Sequence, residues 1–224
     1  MILFEAPDTA LFRYDNPSVS ALILSGSVRV TTLNSCRNAE NLAARDSGEG
    51  SRTITSEPGR HSLNSTSAAQ LLGVPVGSIA VTGPNAFVTV GDAAVVRIET
   101  VSDAFVLCLS TRGNDSDLKA RFGHGCVRIN DPQSFIELVD RALRERVAPL
   151  ALNDCHVADV NYRPRTTTFR EIPDKPSYFI KPAGGAARFE IEQEVRAVWT
   201  LTRTAAIEPI QLQIPEVATF LALS

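Results

Sequence analysis

The chain has 224 residues, 44% hydrophobic and 21% charged, with a formal net charge of −3. That is ordinary globular composition with enough chain for a proper core, and the mild negative balance excludes a global field drawing it to nucleic acid or anionic membrane. No apolar run reaches membrane-spanning length, and the start, Met1 to Asp15, carries Glu5 and Asp8 where a signal peptide needs a cationic start and a long apolar segment.

Ala10 to Tyr14 reads as a short strand ending at Asp15. Asn16-Pro17 then starts a helix, a capping side chain followed by proline at the first helical position. Val19, Leu22 and Ile23 give that helix its apolar face, and Gly26 supplies a left-handed stop. Ser27 to Leu33 alternates as the next strand. From about 34 to 67 the chain turns polar, with Gly48-Glu49-Gly50 inside. A connection of that length is expected to be a mobile loop, either a gate beside the site or plain surface disorder. One helical turn over Ala68 to Leu72 is followed by strand-type runs at Ser78 to Thr82, Phe87 to Val90 and Ala93 to Thr100.

Ala104 to Leu109 is apolar on both faces, as a central strand is, and ends in Ser110-Thr111. A short helix around Leu118 to Phe122 leads into the strand Cys126 to Ile129. Asp131-Pro132 then caps the strongest helix, with Phe135, Ile136, Val139, Ala142, Leu143 and Val147 on one stripe. Val157 to Tyr162 is a further strand, 163–175 a basic, Pro-flanked loop, and Ile210 to Ile214 and Ala218 to Leu223 close the chain as strands. This order, without sustained βαβ alternation or a linker, predicts one α+β domain over residues 1–224, with mixed, mostly antiparallel sheets and a few helices.

The four cysteines, Cys36, Cys108, Cys126 and Cys155, are scattered without a Cys-x-x-Cys pair. Cys108 and Cys126 fall inside apolar strand patterns, where a free thiol acts as a small hydrophobe. The expectation is a soluble, cytoplasmic protein of a reducing compartment, with no metal site.

Phe189 to Leu201 carries the most information about function. Read with a period of two, Phe189, Ile191, Val195, Ala197, Trp199 and Leu201 share one face, and Glu190, Glu192, Glu194 and Arg196 share the other. A strand with one face in a core follows. Neighbouring carboxylates on its other face lie roughly 7 Å apart and disfavour each other's ionisation. Such a row is either a solvated face with Arg196 as counter-charge or a Glu-x-Glu catalytic edge.

Three pieces together resemble a large, mostly uncharacterised family of bacterial and phage accessory proteins. They are Phe12-Arg13-Tyr14 with its helix, Gly26 and strand; Cys108-Leu109-Ser110 followed by a helix with Phe122 and then Gly125 to Ile129; and Lys181 with Glu192-x-Glu194-Val195-Arg196. That layout is in turn similar to the ADP-ribosyltransferase-like fold of the Arg-Ser-Glu class. The resemblance implies an NAD-dependent ADP-ribosyltransferase, or an NAD glycohydrolase, acting on a macromolecular acceptor (protein or nucleic acid) in phage–host conflict. It implies Arg13 on the NAD phosphates, Tyr14 or Phe122 stacking on nicotinamide, Ser110 with Thr111 shaping that pocket, Glu194 stabilising an oxocarbenium-like cation, and Glu192 positioning or deprotonating the acceptor. Arg112 stands where that class has a second Ser, and the gap from Ser110 to Glu194 is long for compact members. Two other functions use the same carboxylates. One is a non-catalytic phage or mobile-element module whose acidic face blocks a basic protein partner. The other is a nucleotide- or nucleic-acid-processing enzyme with a groove built from Arg163, Arg165, Arg170 and Lys175.

Overall fold

The structure, a computed structural model, describes residues 1–39, 46–55, 61–63, 88–90, 96–101, 103–168, 175–183 and 189–224. In chain order come β1 (Ile2–Phe4), β2 (Leu11–Asp15), α1 (Pro17–Leu24), β3 (Ser27–Thr32), α2 (Leu33–Arg37), β4 (Ser51–Thr55), β5 (His61–Leu63), β6 (Val88–Val90), β7 (Val96–Thr100) and β8 (Ala104–Ser110). Then follow α3 (Ser116–Phe122), β9 (Gly125–Ile129), α4 (Pro132–Arg146), β10 (Leu152–Asp159), β11 (Asn161–Tyr162), β12 (Thr166–Thr168), β13 (Ile180–Lys181), β14 (Glu194–Leu201), β15 (Ile210–Gln213) and β16 (Leu221–Leu223). Short 3-10 turns lie at Ser177–Phe179, Phe189–Glu192 and Pro215–Phe220. The chain is a mixed α+β domain with few helices.

Its main sheet has nine strands, ordered β1-β10-β14-β8-β2-β9-β16, with β3 also on β8 and β15 beside β3. The β1–β10 pair is parallel and the other pairs of this sheet are antiparallel. A smaller sheet, β12-β4-β7, and two short ladders complete the pairing.

Period-two alternation then decides what each face carries. On one face Leu107, Leu109, Val195, Ala197 and Trp199 pack against Phe135, Ile136, Val139 and Leu143 of α4. The Asp131 side chain caps that helix by accepting from the Ser134 N–H at 3.0 Å. On the other face Ala104, Val106 and Val198 pack with Leu33, Tyr178 and Phe179. The same alternation turns Cys108, Ser110, Glu194 and Arg196 to that second face. The register agrees: Glu194 lies opposite Ser110, and Arg196 opposite Cys108.

One edge of β8 is divided between two partners. Its start pairs with β3 at Thr31 and Thr32, and its end with β2 only at Phe12. Within the gap, the Cys108 carbonyl accepts from Arg13 Nη1 at 2.8 Å. A buried carbonyl left without a ladder partner needs such a donor.

Several sequence expectations are corrected. The described parts of 34–67 hold α2, β4 and β5 where the sequence shows no periodicity, and Asp46 and Glu49 are buried there. Part of 163–175 is strand β12, which pairs with β4. The runs at 68–72 and 78–82 lie outside the described residues. Leu22 is exposed, and α1 instead buries Ser20 and Ile23. Asn16 makes no capping hydrogen bond through its side chain, while Gly26 does take a left-handed φ of +91°. A Cβ on Gly26 would stand 2.6 Å from the Ile214 carbonyl oxygen, so the close approach to the β15 end also requires glycine. The first half of the closing strand, Ala218 to Phe220, belongs to a 3-10 turn, and Leu221–Leu223 pairs.

The largest correction is at Phe189 to Leu201. Residues Phe189–Glu192 form a 3-10 turn, Gln193 has a φ of +39°, and the strand begins at Glu194. The face with Val195, Ala197 and Trp199 is as the alternation predicts. The carboxylate face is neither an unbroken row nor solvated: Glu192 and Glu194 are 5% and 4% exposed.

Candidate functional site

The kink at Gln193 brings Glu192 and Glu194 to a single cation. Lys181 Nζ lies 2.6 Å from Glu192 Oε2 and 2.6 Å from Glu194 Oε2. Arg196, 1% exposed, then links Glu194 to the polar segment far upstream. Its Nε donates to Glu194 Oε1 at 2.7 Å, and Nη1 and Nη2 donate to the two Glu49 oxygens at 2.6 and 2.9 Å. Nη1 also donates to the Tyr178 carbonyl at 2.6 Å. Such a guanidinium fork, with carboxylates on two sides, is the arrangement that a buried charge needs. Arg121 of α3 completes the group, with Nη2 3.0 Å from Glu192 Oε1. Three carboxylates and three cations therefore balance inside the protein.

The two glutamates of the pair differ in kind. Burial alone would push the Glu194 carboxyl up, but Arg196 and Lys181 outweigh it and hold that group well below the usual carboxylate range. For Glu192, burial wins over the attraction of Lys181, and its proton affinity is raised. Geometry gives the same contrast. Both oxygens of Glu194 are taken by cations, whereas Glu192 Oε1 faces Arg121 outside hydrogen-bond alignment and has no hydrogen-bonded donor. Lys181 and Arg196 are held charged: burial opposes them, and Glu194 leads the attractions that overcome it.

These groups form part of the wall of a cavity of about 250 Å³. Arg13, Tyr14, Ser110, Phe122, Glu192 and Glu194 all line it, from segments far apart in the sequence; Thr111 is not among its lining residues. Phe12 and Phe122 pack with Tyr14 and Leu118 as an aromatic and aliphatic part of the wall, and the Arg121 guanidinium lies 5.5 Å from the centre of the Phe122 ring. Several of these side chains also hold the framework. The Tyr14 hydroxyl donates to the Arg112 carbonyl at 2.7 Å and accepts from the Asp115 N–H at 2.9 Å, and burial pushes its pKa up to about 12. Ser110 Oγ donates to the Glu192 carbonyl at 2.6 Å and accepts from the Arg112 N–H at 3.0 Å. Thr111 is tied to Gln193 through its N–H at 3.1 Å. Arg13 is anchored on the Cys108 carbonyl, with Asp15 at 4.0 Å.

Sequence reasoning passed over Glu49, Cys36 and Cys108 as site residues, and all three line the cavity. Nothing local marks Glu49: it sits in a polar run and gains meaning only when Arg196 reaches it. The basic residues proposed for a groove are otherwise engaged. Arg165 pairs with Asp46, and Lys175 Nζ donates to the Asp159 carbonyl at 3.1 Å. Arg163 has its own interactions and Arg170 lies outside the described residues. Among the described residues no helix is long and apolar enough to cross a membrane.

Comparisons with protein-family models, curated proteins and solved structures find no match for this chain.

The contrast between the glutamates has a measurable pH signature. Glu194 binds its proton less tightly folded than unfolded, so its stabilisation is full above the ordinary glutamate value of 4.5 and is lost as pH falls through the depressed folded value. Glu192 binds its proton more tightly when folded, so its charged form opposes folding above the raised value, and that opposition disappears as pH falls. Thermal melting from pH 8 downward should show E194Q below wild type by a constant margin that narrows only in acid. E192Q should lie level with or above wild type at neutral pH and converge with it as the pH drops. The reverse ranking of the two variants would contradict the assignment.

Proposed function

We propose that the cavity binds the nicotinamide end of NAD and cleaves the nicotinamide–ribose bond, passing ADP-ribose to a macromolecular acceptor or to water. The ADP-ribosyltransferase-like reading of the fold goes with this proposal. The observation that carries it is convergence: Arg13, Tyr14, Ser110, Phe122, Glu192 and Glu194 meet around one cavity. Its volume of about 250 Å³ lies just below the roughly 300–1,000 Å³ usual for drug-sized ligands. It would therefore enclose one end of a dinucleotide and leave the rest outside.

In that pose the aromatic wall of Phe12 and Phe122 receives the flat pyridinium ring. Arg13, fixed by the Cys108 carbonyl, places positive charge toward the phosphates. As the bond breaks, its electron pair leaves with the nicotinamide nitrogen and positive charge develops on the ribose. A buried carboxylate stabilises such a cation, as in glycosidases. Both glutamates are ion-paired, Glu192 with Lys181 and Arg121 and Glu194 with Lys181 and Arg196, but only Glu192 keeps an oxygen, Oε1, that accepts no hydrogen bond, which suits it to that task better than Glu194. Its raised proton affinity also suits a base that takes the proton of the attacking hydroxyl. The burial of both glutamates weighs against an acidic docking face for a basic partner.

Calorimetric titration of NAD into the wild-type protein tests the reading, with nicotinamide release measured alongside. Saturable binding is expected, and Arg13→Ala should weaken it more than it slows turnover. A folded wild-type protein that gives no binding heat at millimolar NAD would remove the proposal.

A further inference from the structure

Two of the four cysteines have no part in the proposed chemistry and yet lie on the cavity wall. Cys36 and Cys108 both line it and are half-buried, whereas Cys126 and Cys155 are buried. Cys108 is the one residue of β8 that is not buried, on a strand otherwise covered on both faces. Its exposure is therefore an exposure to the cavity. Helix α2 brings the second thiol to it. Leu33, at the helix start, packs with Ala104 and Val106, and Cys36, three residues on and so on the same helix face, lines the same cavity as Cys108.

We propose that Cys36 and Cys108 are a peroxide-reactive thiol pair, Cys36 attacking and Cys108 resolving. The Cys108 thiol is the largest influence on Cys36 and lowers its pKa against the effect of burial, with Arg196 acting in the same direction and Glu49 and Glu194 against it. The Cys36 thiol, followed by burial and Glu194, pushes the Cys108 thiol well up. A thiolate is the nucleophile in thiol oxidation, so this asymmetry sets the order of events. The Cys36 thiolate attacks the O–O bond of hydrogen peroxide, giving a sulfenic acid and, with one proton, water. The Cys108 thiol then attacks that sulfur, forming the disulfide and releasing a second water. Two thiols are oxidised by two electrons as one peroxide is reduced to two waters. The bond would tie α2 to β8 across the cavity wall, beside the Arg196 guanidinium. This inference does not rest on the NAD reading.

The test is peroxide treatment of the full chain, followed by thiol titration and non-reducing peptide mapping. Wild type should fall from four titratable thiols in the denatured protein to two, with a Cys36–Cys108 linked peptide. Cys108→Ser should stop at the sulfenic acid and give a dimedone adduct at Cys36, and Cys36→Ser should leave Cys108 unmodified. Four thiols surviving excess peroxide in wild type would overturn the proposal. So would first oxidation at Cys126 or Cys155, or undiminished reaction of Cys108 in Cys36→Ser.

Discussion

Arg196→Met is expected to destabilise the protein by about 3–5 kcal/mol, the usual penalty for removing one partner from a buried ion pair. The side chain is 1% exposed and is the shared donor for Glu49 and Glu194, so its loss leaves two carboxylates facing each other without their fork. For a chain of this size that is a fall in melting temperature of roughly 6–20 °C. Arg196→Lys should recover only part of it, because an ammonium has no fork to engage both carboxylates. Adding Glu49→Gln and Glu194→Gln to Arg196→Met should restore stability, since the penalty comes from the abandoned charges. A melting temperature for Arg196→Met within about 2 °C of wild type, which corresponds to about 1 kcal/mol or less, would show that the network does not hold the fold.

Glu192→Gln has its largest expected effect on turnover. Burial raises the proton affinity of Glu192, so its charged form opposes folding, and Gln, which removes that charge, should leave the variant with undiminished stability. If Glu192 supports the developing ribose cation, the same change should slow NAD cleavage by at least ~100-fold, roughly 2.7 kcal/mol in the barrier. NAD affinity should change far less, because the charge develops only in the transition state. Glu194→Gln should behave in the opposite sense, losing roughly 1.5–3 kcal/mol of charge-assisted hydrogen bonding from the framework. Activity that it loses should track that stability loss. Retained turnover in Glu192→Gln alongside a folded, inactive Glu194→Gln would exchange the two roles.

The parts of this account that were legible in the sequence are those set by local pattern. Asp131-Pro132 and the apolar stripe behind it specify α4, and the run from Ala104 to Leu109 specifies a strand buried on both faces. Gly26 marks a left-handed stop because no other residue fits there. The joint order of Arg13, Ser110 and Glu194 pointed to a shared cavity, and those residues do line one. What could not be read was the state of the carboxylates. A period-two pattern through Phe189 to Leu201 cannot reveal that Gln193 leaves strand geometry and turns Glu192 onto Lys181. Nor can polarity alone separate a solvated Glu49 from one that closes a buried ion network with Arg196, 147 residues away. Long-range pairing of charges has no sequence period, so it becomes visible only once the strands are in register.

Nicotinamide release from NAD, followed for wild type, E192Q and E194Q at equal folded concentration, addresses the central claim most directly. The account predicts release by wild type, and release at least ~100-fold slower by an E192Q protein that melts no lower than wild type. No release by folded wild-type protein at millimolar NAD, or release by E192Q at the wild-type rate, would contradict it.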